Sequence, residues 1–200
     1  MSSLGIQETF FYPGRHKRNY CKPGPDAVPF LSGTNILQFR PFDVKWQPRE
    51  YGPIEKCLVK KGWILVTRSG SIGRVVYVGD ELAGFPVDKG VAVSEHVIRI
   101  IPDPEEVDPG YLFAFLSSEA GKVLLSQGIY ASVVQHITPA HIRDIPVPLP
   151  SKEIQQKIGQ MVREAEARRV AANRSIMEIQ SQVNDAILSG DIANLKTLIK

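Results

Sequence analysis

The stretch KGWILVTRSGSIGRVVYV, residues 61–78, decides how the chain begins to fold. Its two runs WILVT (63–67) and RVVYV (74–78) are rich in β-branched and aromatic residues, which favour strands. The RSGSIG segment between them contains Gly70 and Gly73, which can adopt turn conformations that other residues resist. The sequence therefore predicts a β-hairpin with a polar turn at its tip.

The segments on either side of this hairpin extend the β-rich region. Residues 1–61 are dense in turn formers, which predicts loop-rich structure. Two short apolar runs within them, VPFL (28–31) and ILQF (36–39), are interpreted as short strands. Downstream of the hairpin, VAVSEHVIRII (91–101) predicts a further strand that is broken near residues 94–96.

Helical spacing of apolar residues begins after the acidic loop PDPEEVDPG. It predicts helices over PGYLFAFLSS (109–118) and SEAGKVLLSQ (118–127), while IYASVV (129–134) is interpreted as a strand. TPAHIRD (138–144) predicts one helical turn, with Thr138 as the N-cap and a proline at the first helical position.

One long helix is predicted from Ser151 to about Leu188, after the extended segment IPVPLP (145–150). About 38 helical residues span roughly 55 Å, which is long for a helix packed within a domain of this size. A coiled-coil-like apolar stripe of this kind most often pairs with another helix, and a helix folded back on its own domain is the alternative. The residues predicted to pair are Ile158, Met161, Ala165, Ala172, Ile176, Ile179 and Val183.

These elements together predict an α+β fold. A mixed, β-rich domain with short helices is expected over residues 1–150, followed by the long helix over residues 151–189. Gly190 is the expected end of that helix, and residues 190–200 form a short C-terminal tail.

The distribution of charge is more informative than the net charge of +3. Residues 1–74 contain 12 Lys and Arg against five Asp and Glu, whereas residues 75–150 contain four against ten. A basic first third suits a surface that faces phosphates, because neutralising phosphates releases counterions. The alternative is that these charges are scattered over the folded surface and average out.

Composition also bounds the compartment and the chemistry. The two cysteines, Cys21 and Cys57, belong to no CxxC motif or Cys/His cluster, so we expect a reducing compartment and neither a metal nor a cofactor. The chain contains no run of 18 apolar residues and no apolar core of a signal peptide near its start. We therefore expect a cytoplasmic protein.

The order of these features resembles the repeat unit of the DNA-specificity subunits of type I restriction–modification systems. The resemblance covers most of the chain, and its last part includes a pattern similar to L-x-x-I-x-I-P-x-P followed by x-x-E-Q-x-x-I. The matching segments are VPFLSGTNI (28–36), KGWILVTRSGSIGRVVYV (61–78), EHVIRIIPDPEEVDPGYLFAFLSSEAGKVLL (95–125) and SVVQHITPAHIRDIPVPLPSKEIQQKI (132–158).

The resemblance implies a non-catalytic subunit that recognises double-stranded DNA and directs DNA adenine methyltransferase and restriction subunits to their target. Subunits of this family usually carry two recognition domains, each followed by a long helix, and the two helices pair antiparallel. This chain has one domain and one long helix. It is therefore expected to be a half subunit that pairs with a second copy or a second half, or else half of a larger protein.

Two polar clusters fit the requirements of a DNA reader, which needs paired donors or acceptors for bases and cationic or hydroxyl groups for phosphates. They are the loop at residues 15–22 and the hairpin turn at residues 67–74; an ordinary solvated loop and an ordinary structural turn are the alternatives. Tyr130, Gln135 and His136, near the strand predicted at 129–134, are weaker candidates, as are Ser94 and His96. The predicted DNA-binding residues are Arg15, Lys17, Arg18, Tyr20, Lys22, Thr67, Arg68, Ser69, Ser71, Arg74, Tyr130, Gln135 and His136.

Two other classes of function are compatible with parts of the sequence. Pro25-Asp26 together with Asp43-Val44-Lys45 satisfies the loose PD-(D/E)xK template of metal-dependent nucleases, although so short a template is weak evidence. A β-rich module that binds proteins through the long helix is the second alternative. GxSxG, HExxH, P-loop and methyltransferase motifs are absent from the sequence, so we expect no catalytic activity.

Overall fold

The computed structural model describes residues 10–11, 14–84, 90–130 and 136–190. The chain divides into two compact units, residues 1–163 and residues 164–200. The strands are β1 (Phe10–Phe11), β2 (Ala27–Leu31), β3 (Lys45–Pro48), β4 (Leu58–Val59), β5 (Ile64–Thr67), β6 (Val75–Tyr77), β7 (Val91–Val93) and β8 (Val97–Ile100). The α-helices are α1 (Asp80–Gly84), α2 (Pro109–Ser117), α3 (Glu119–Tyr130), α4 (Pro139–Arg143) and α5 (Lys152–Ser189), and 3₁₀ turns occupy Asn35–Leu37 and Gly52–Cys57.

The strands of the described residues form two four-stranded sheets. Sheet 1 has the order β1-β8-β5-β6 with every neighbouring pair antiparallel. Sheet 2 has the order β3-β2-β7-β4, in which β2 and β7 are parallel and the outer pairs are antiparallel. The predicted hairpin is confirmed as β5 and β6, with Leu65 opposite Val76.

The segment predicted as one broken strand, residues 91–101, consists of two strands in different sheets. β7 belongs to sheet 2 and β8 belongs to sheet 1. Between them the backbone makes a tight turn, in which the Val97 amide donates to the Ser94 carbonyl at 3.1 Å. The predicted break is confirmed, and it is the point where the chain crosses from one sheet to the other.

Apolar side chains cover both faces of sheet 1. Leu65 and Val97 pack toward sheet 2, where they meet Leu31 and Val93. On the opposite face, alternate residues of β8 pack against the helical layer formed by α2, α3 and α4. Sheet 1 is therefore the central layer of the domain.

A fully buried arginine connects the two sheets. The Arg99 side chain has no exposed surface, and its guanidinium donates to the carbonyls of Cys57 and Val93 at 3.0 and 2.7 Å. Burial lowers the pKa of Arg99 to about 10, although its electrostatic interaction with Cys57 acts in the opposite direction. The side chain remains a cation at neutral pH and joins strand β8 of sheet 1 to the end of β7 in sheet 2 and to the end of the 3₁₀ turn that precedes β4.

The predicted starts of two helices are confirmed. Thr138 caps α4 by accepting a hydrogen bond from the His141 amide at 3.2 Å, and Pro139 is the first helical residue. Asp108 caps α2, because its carboxylate accepts from the amides of Gly110 and Tyr111 at 2.8 and 3.1 Å. Each cap satisfies amides that have no partner inside the helix.

Two predicted strands are corrected. ILQF (36–39) begins in a 3₁₀ turn, because the side chains of Ser32 and Asn35 bond the local backbone and favour a turn over a ladder. The start of IYASVV is helical, since α3 continues through Tyr130. The rest of that segment, residues 131–135, lies outside the described residues, as does the predicted tail at residues 191–200.

The long helix is confirmed as α5, which runs from Lys152 to Ser189 and ends at Gly190, where φ is 73°. Its first turns pack on the domain through a contact that has no room for side chains. A Cβ on Gly110 would lie 2.7 Å from the Gly159 backbone, and a Cβ on Gly159 would lie 1.8 Å from a carboxylate oxygen of Asp108. Arg163 completes the contact with bonds of 3.2 and 3.1 Å to that carboxylate.

No helix in the described part of the chain is long and apolar enough to cross a membrane.

Candidate nucleic-acid interface

The hairpin turn at residues 68–74 is shaped by Thr67. Its hydroxyl donates to the Ser71 carbonyl and accepts from the Arg74 amide at 3.0 Å, and only 1% of the residue is exposed. Gly70 and Gly73 have φ values of 75° and 74°, as the turn requires. Thr67 is therefore buried and bonded within the protein, and a DNA contact by this residue stays a prediction.

The other predicted residues of this turn are accessible to different extents. Ser71 and Arg74 are exposed, whereas Arg68 and Ser69 are half-buried at its base. The turn therefore presents cationic and hydroxyl groups toward solvent on a backbone held by Thr67.

The basic loop at residues 15–22 is largely exposed. Arg15, Lys17 and Lys22 are accessible, and Tyr20 is 47% exposed. His16 is half-buried and packs edge-on against the Phe30 ring of sheet 2, with ring centroids 6.1 Å apart. The loop is thus anchored on the outer side of sheet 2 while most of its cationic groups remain free to meet a partner.

A side-chain network joins the basic loop to the hairpin turn. The Arg18 guanidinium lies 2.7 Å from the Glu95 carboxylate, and the same carboxylate oxygen lies 3.6 Å from His96 Nε2. His96 Nδ1 is 2.7 Å from the Ser69 hydroxyl, and the His96 carbonyl accepts from the Arg68 amide at 2.9 Å. The two clusters predicted separately from the sequence therefore lie next to each other.

Glu95 is the residue that the sequence analysis missed. It is 7% exposed and lies in the turn where the chain crosses between the sheets. Burial raises the pKa of Glu95, but its own backbone hydrogen bond and the Arg18 cation outweigh burial and hold that pKa below the ordinary value of 4.5. For Arg18, burial lowers the pKa, but bonds to Tyr20 and Glu95 raise it overall. Glu95 is therefore an ionised connector at neutral pH.

Three connections between strands meet at one edge of the two sheets. Leu31 pairs with Val93 where β2 and β7 end, and the Ser94 amide donates to the Leu31 carbonyl at 2.9 Å. A Cβ on Gly33 would lie 3.6 Å from Thr67 at the end of β5. We name this surface the loop edge and define it as residues 32–44, 68–74 and 94–96 together with Arg18.

The chain near residue 136 also reaches this surface. The Ile137 amide donates to the Arg68 carbonyl at 3.3 Å, and His136 beside it is half-buried. Tyr130 is the last residue of α3, and Gln135 lies outside the described residues. His136 is thus placed beside the hairpin turn, while DNA contacts by Tyr130 and Gln135 stay predictions.

The residues of the nuclease template do not form a site. Asp26 precedes β2, and its carbonyl accepts from the Arg49 amide at 2.8 Å, whereas Lys45 pairs with Phe30 near the other end of that strand. Four strand residues separate the two positions by about 13 Å. Asp43 lies 4.0 Å from the Lys45 ammonium. In residues 14–84, 90–130 and 136–190, no three His, Cys, Asp or Glu side chains come together as a metal-binding group.

The predicted pairing face of α5 is mostly exposed. Met161, Ile176 and Ile179 are 64%, 45% and 51% exposed. Ala165 and Ala172 are exposed as well, and Val183 is half-buried. Ile158 differs from the other residues of this face, because it is half-buried and packs against the helical layer of its own domain, and its pairing with a second helix stays a prediction.

The sequence model of one protein family, the type I restriction modification DNA specificity domain, matches residues 16–193. The chain belongs to this family. The match begins at the second residue of the basic loop and runs through α5, so it covers every helix and strand described above except β1. A comparison of this specificity domain with curated proteins found no match.

The specificity domain is also similar to solved structures. It matches the type I S subunit from M. genitalium with a TM-score of 0.57 and 13% identity, over 90% of this chain and 41% of that one. The HsdS subunit from Thermoanaerobacter tengcongensis matches with a TM-score of 0.47 and 14% identity, over 95% and 50% of the two chains. A type I R-M system structure described for its complex assembly gives 0.48 and 15%, over 94% and 42%.

At 13% identity, the similarity to the M. genitalium S subunit shows a shared fold and nothing about function. The specificity domain spans half or less of the length of the matched proteins.

Proposed function

We propose that this specificity domain recognises double-stranded DNA by sequence and that it contacts the duplex through the loop edge and the basic loop. The observation that carries the proposal is the Glu95 network. It places two clusters with the chemistry of DNA contacts side by side, although they are far apart in the sequence. Membership of a family of DNA specificity domains also supports DNA recognition.

The two clusters have different chemistry, and we assign them different roles. Arg15, Lys17 and Lys22 are exposed cations on an anchored loop, which suits phosphates of the backbone. The hairpin turn exposes the Ser71 hydroxyl within the turn and the Arg74 side chain directly before β6, which suits contact with a groove, where arginine can bind guanine with two hydrogen bonds. Phosphate contacts position the protein, and groove contacts supply the specificity.

We further propose that the domain is not itself an enzyme and directs DNA adenine methyltransferase subunits, and restriction subunits where they exist, to the bound site. The exposed apolar face of α5, which includes Met161, Ile176 and Ile179, is the surface we assign to pairing with a second copy or a second specificity half. Two free cysteines suit the reducing cytoplasm in which such a system would act.

The decisive experiment is methylation mapping of genomic DNA from cells that express the chain with its candidate methyltransferase. One modified motif would identify the target, and a palindromic motif would support pairing of identical halves. Absence of any modified motif, in cells where both proteins are present and associated, would contradict the proposal.

Salt dependence separates DNA recognition from the protein-binding alternative. The affinity of a DNA reader for duplex falls steeply between low and moderate salt, because each neutralised phosphate contributes about −0.9 to the slope of log K against log salt. A module that binds only proteins would not bind labelled duplex at any salt concentration.

A further inference from the structure

The connection between β2 and β3, residues 32–44, exposes an unusual amount of apolar surface. Phe42 is 68% exposed, Phe39 is 52% exposed and Leu37 is 37% exposed. The exposed Arg40 lies between the two phenylalanines in the sequence. Exposed aromatic residues grouped around an arginine are typical of binding surfaces and not of ordinary loops.

The polar side chains of this connection are used to hold its own backbone. The Asn35 carbonyl oxygen accepts from the Ser32 amide at 3.0 Å, and the Asn35 amide group donates to the Phe42 carbonyl at 2.9 Å. The Gln38 side chain accepts from the Phe42 amide at 3.0 Å. The two ends of the segment that carries the phenylalanines are therefore fixed to each other, which lowers the entropy lost when the aromatic side chains meet a partner.

The connection lies on the loop edge, beside the hairpin turn, as the approach of Gly33 to Thr67 shows. The loop edge contains four arginines, Arg18, Arg40, Arg68 and Arg74, against two carboxylates. One of these carboxylates, Glu95, is already paired with Arg18, and the other, Asp43, lies 4.0 Å from the Lys45 ammonium. The surroundings of the aromatic side chains are therefore cationic, which matches a polyanion.

We propose that Phe39 and Phe42 form a third DNA-contacting element, which touches bases in a groove by apolar contact while Arg40 meets the adjacent backbone. The proposal rests on the proposed function of the loop edge. Apolar side chains can recognise the methyl group of thymine, stack on a base or enter between base steps, and none of these contacts neutralises a phosphate. The two phenylalanines therefore contribute to specificity and not to the salt dependence of binding.

The test compares Phe39→Ala, Phe42→Ala and the double variant with the wild-type full chain. Binding is measured by fluorescence anisotropy with two duplexes of equal length, one carrying the motif found by methylation mapping and one carrying a scrambled motif. We expect the ratio of the two affinities to fall on the order of tenfold in the double variant, while the salt slope stays unchanged. Phe42 is exposed enough that its single variant should fold normally.

Two controls separate failure of this inference from failure of the proposed function. Leu149→Ala removes another exposed apolar side chain, 40% exposed, next to Pro148, whose carbonyl accepts from Tyr111 on α2. It should leave both affinities unchanged. The pair Arg68→Ala and Arg74→Ala should weaken binding to both duplexes. If the phenylalanine variants bind like wild type but the arginine variants bind more weakly, the inference is wrong and the proposed function stands. If both sets of variants bind like wild type, the proposed function is wrong.

The same variants decide between DNA and a protein as the partner of the aromatic side chains. Association with the methyltransferase subunit is measured by size-exclusion chromatography in the absence of DNA. Unchanged association together with a reduced affinity ratio supports the proposal. Lost association with an unchanged affinity ratio would assign the aromatic surface to the partner subunit and overturn it.

Discussion

The two ends of strand β8 lie next to surfaces of different kinds, one polar and exposed and the other closely packed around glycines. At its start lies the loop edge, where Arg18, Glu95 and His96 form a polar network and many neighbouring side chains face solvent. Beyond its end lies the contact of α5 with α2, where Gly110 and Gly159 meet without side chains. The loop edge can therefore tolerate substitutions that alter binding. The contact between α2 and α5 cannot, because it has no room for a methyl group on either glycine.

The largest effect is expected where the two sheets are joined. Arg99→Ala removes a buried cation and leaves the carbonyls of Cys57 and Val93 without their donor, so the free energy of unfolding should fall by about 3–5 kcal/mol. Urea denaturation followed by circular dichroism measures the change. A loss below about 1 kcal/mol would show that the Arg99 bonds to Cys57 and Val93 do not hold the two sheets together.

The next effect tests the close-packed end directly. A Cβ at Gly110 would meet the Gly159 backbone at 2.7 Å, so Gly110→Ala should lower the free energy of unfolding by about 2–3 kcal/mol. Gly52→Ala is the matched control, since a Cβ there meets nothing within 4 Å and the residue has no positive φ. Equal stability of the two variants in urea would show that α5 can shift to make room.

A third prediction concerns the exposed end and affects binding, not folding. Replacing Arg68 and Arg74 with Glu should weaken duplex binding by at least about tenfold and reduce the slope of log K against log salt. The change at the exposed Arg74 should leave the thermal midpoint nearly unchanged, because the Thr67 hydroxyl bonds the turn through backbone groups, and the single Arg68→Glu variant measures the effect of the half-buried arginine separately. Anisotropy titrations at several salt concentrations measure the duplex affinity and its salt slope. Unchanged binding would show that the hairpin turn does not contact DNA.

The smallest effect is expected at the connector. The pKa of Glu95 is lower in the folded state than its ordinary value of 4.5, so the unfolded chain binds more protons as pH falls through this range. The ion pair with Arg18 therefore stabilises the protein above about pH 4.5, and this contribution is lost as pH falls through the folded pKa. Glu95→Gln should lower stability by about 1 kcal/mol at pH 7, since the pair is partly buried.

The measurement is urea denaturation of wild type and Glu95→Gln at pH 7 and at pH 3. The difference in the free energy of unfolding should shrink toward zero at the lower pH. A difference that is the same at both values would mean that Glu95 acts through packing and not through its charge.

Local patterns in the sequence determined the elements of this protein. The hairpin of β5 and β6, the capped start of α4 and the full length of α5 were predictable, because β-branched runs, capping residues and helical spacing act over a few neighbouring residues. Two predictions in this class were wrong. In ILQF, side-chain bonds from Ser32 and Asn35 overrode an apolar run, and IYASVV begins inside α3.

Only the tertiary structure decided which of these elements meet. Glu95, the partner of Arg18, is 77 positions away in the sequence. Arg99 is a single charged residue in an apolar run, and nothing near it in the sequence shows that it is fully buried. Ile158 fits the apolar spacing of α5, but it packs on its own domain. The aromatic side chains of residues 32–44 carry no motif, and their place beside the hairpin turn follows from the parallel pairing of β2 with β7. Contacts between distant residues depend on sheet order and on the crossing at residues 94–96. The sequence predicted a break at that point, but no local pattern shows that the chain changes sheets there.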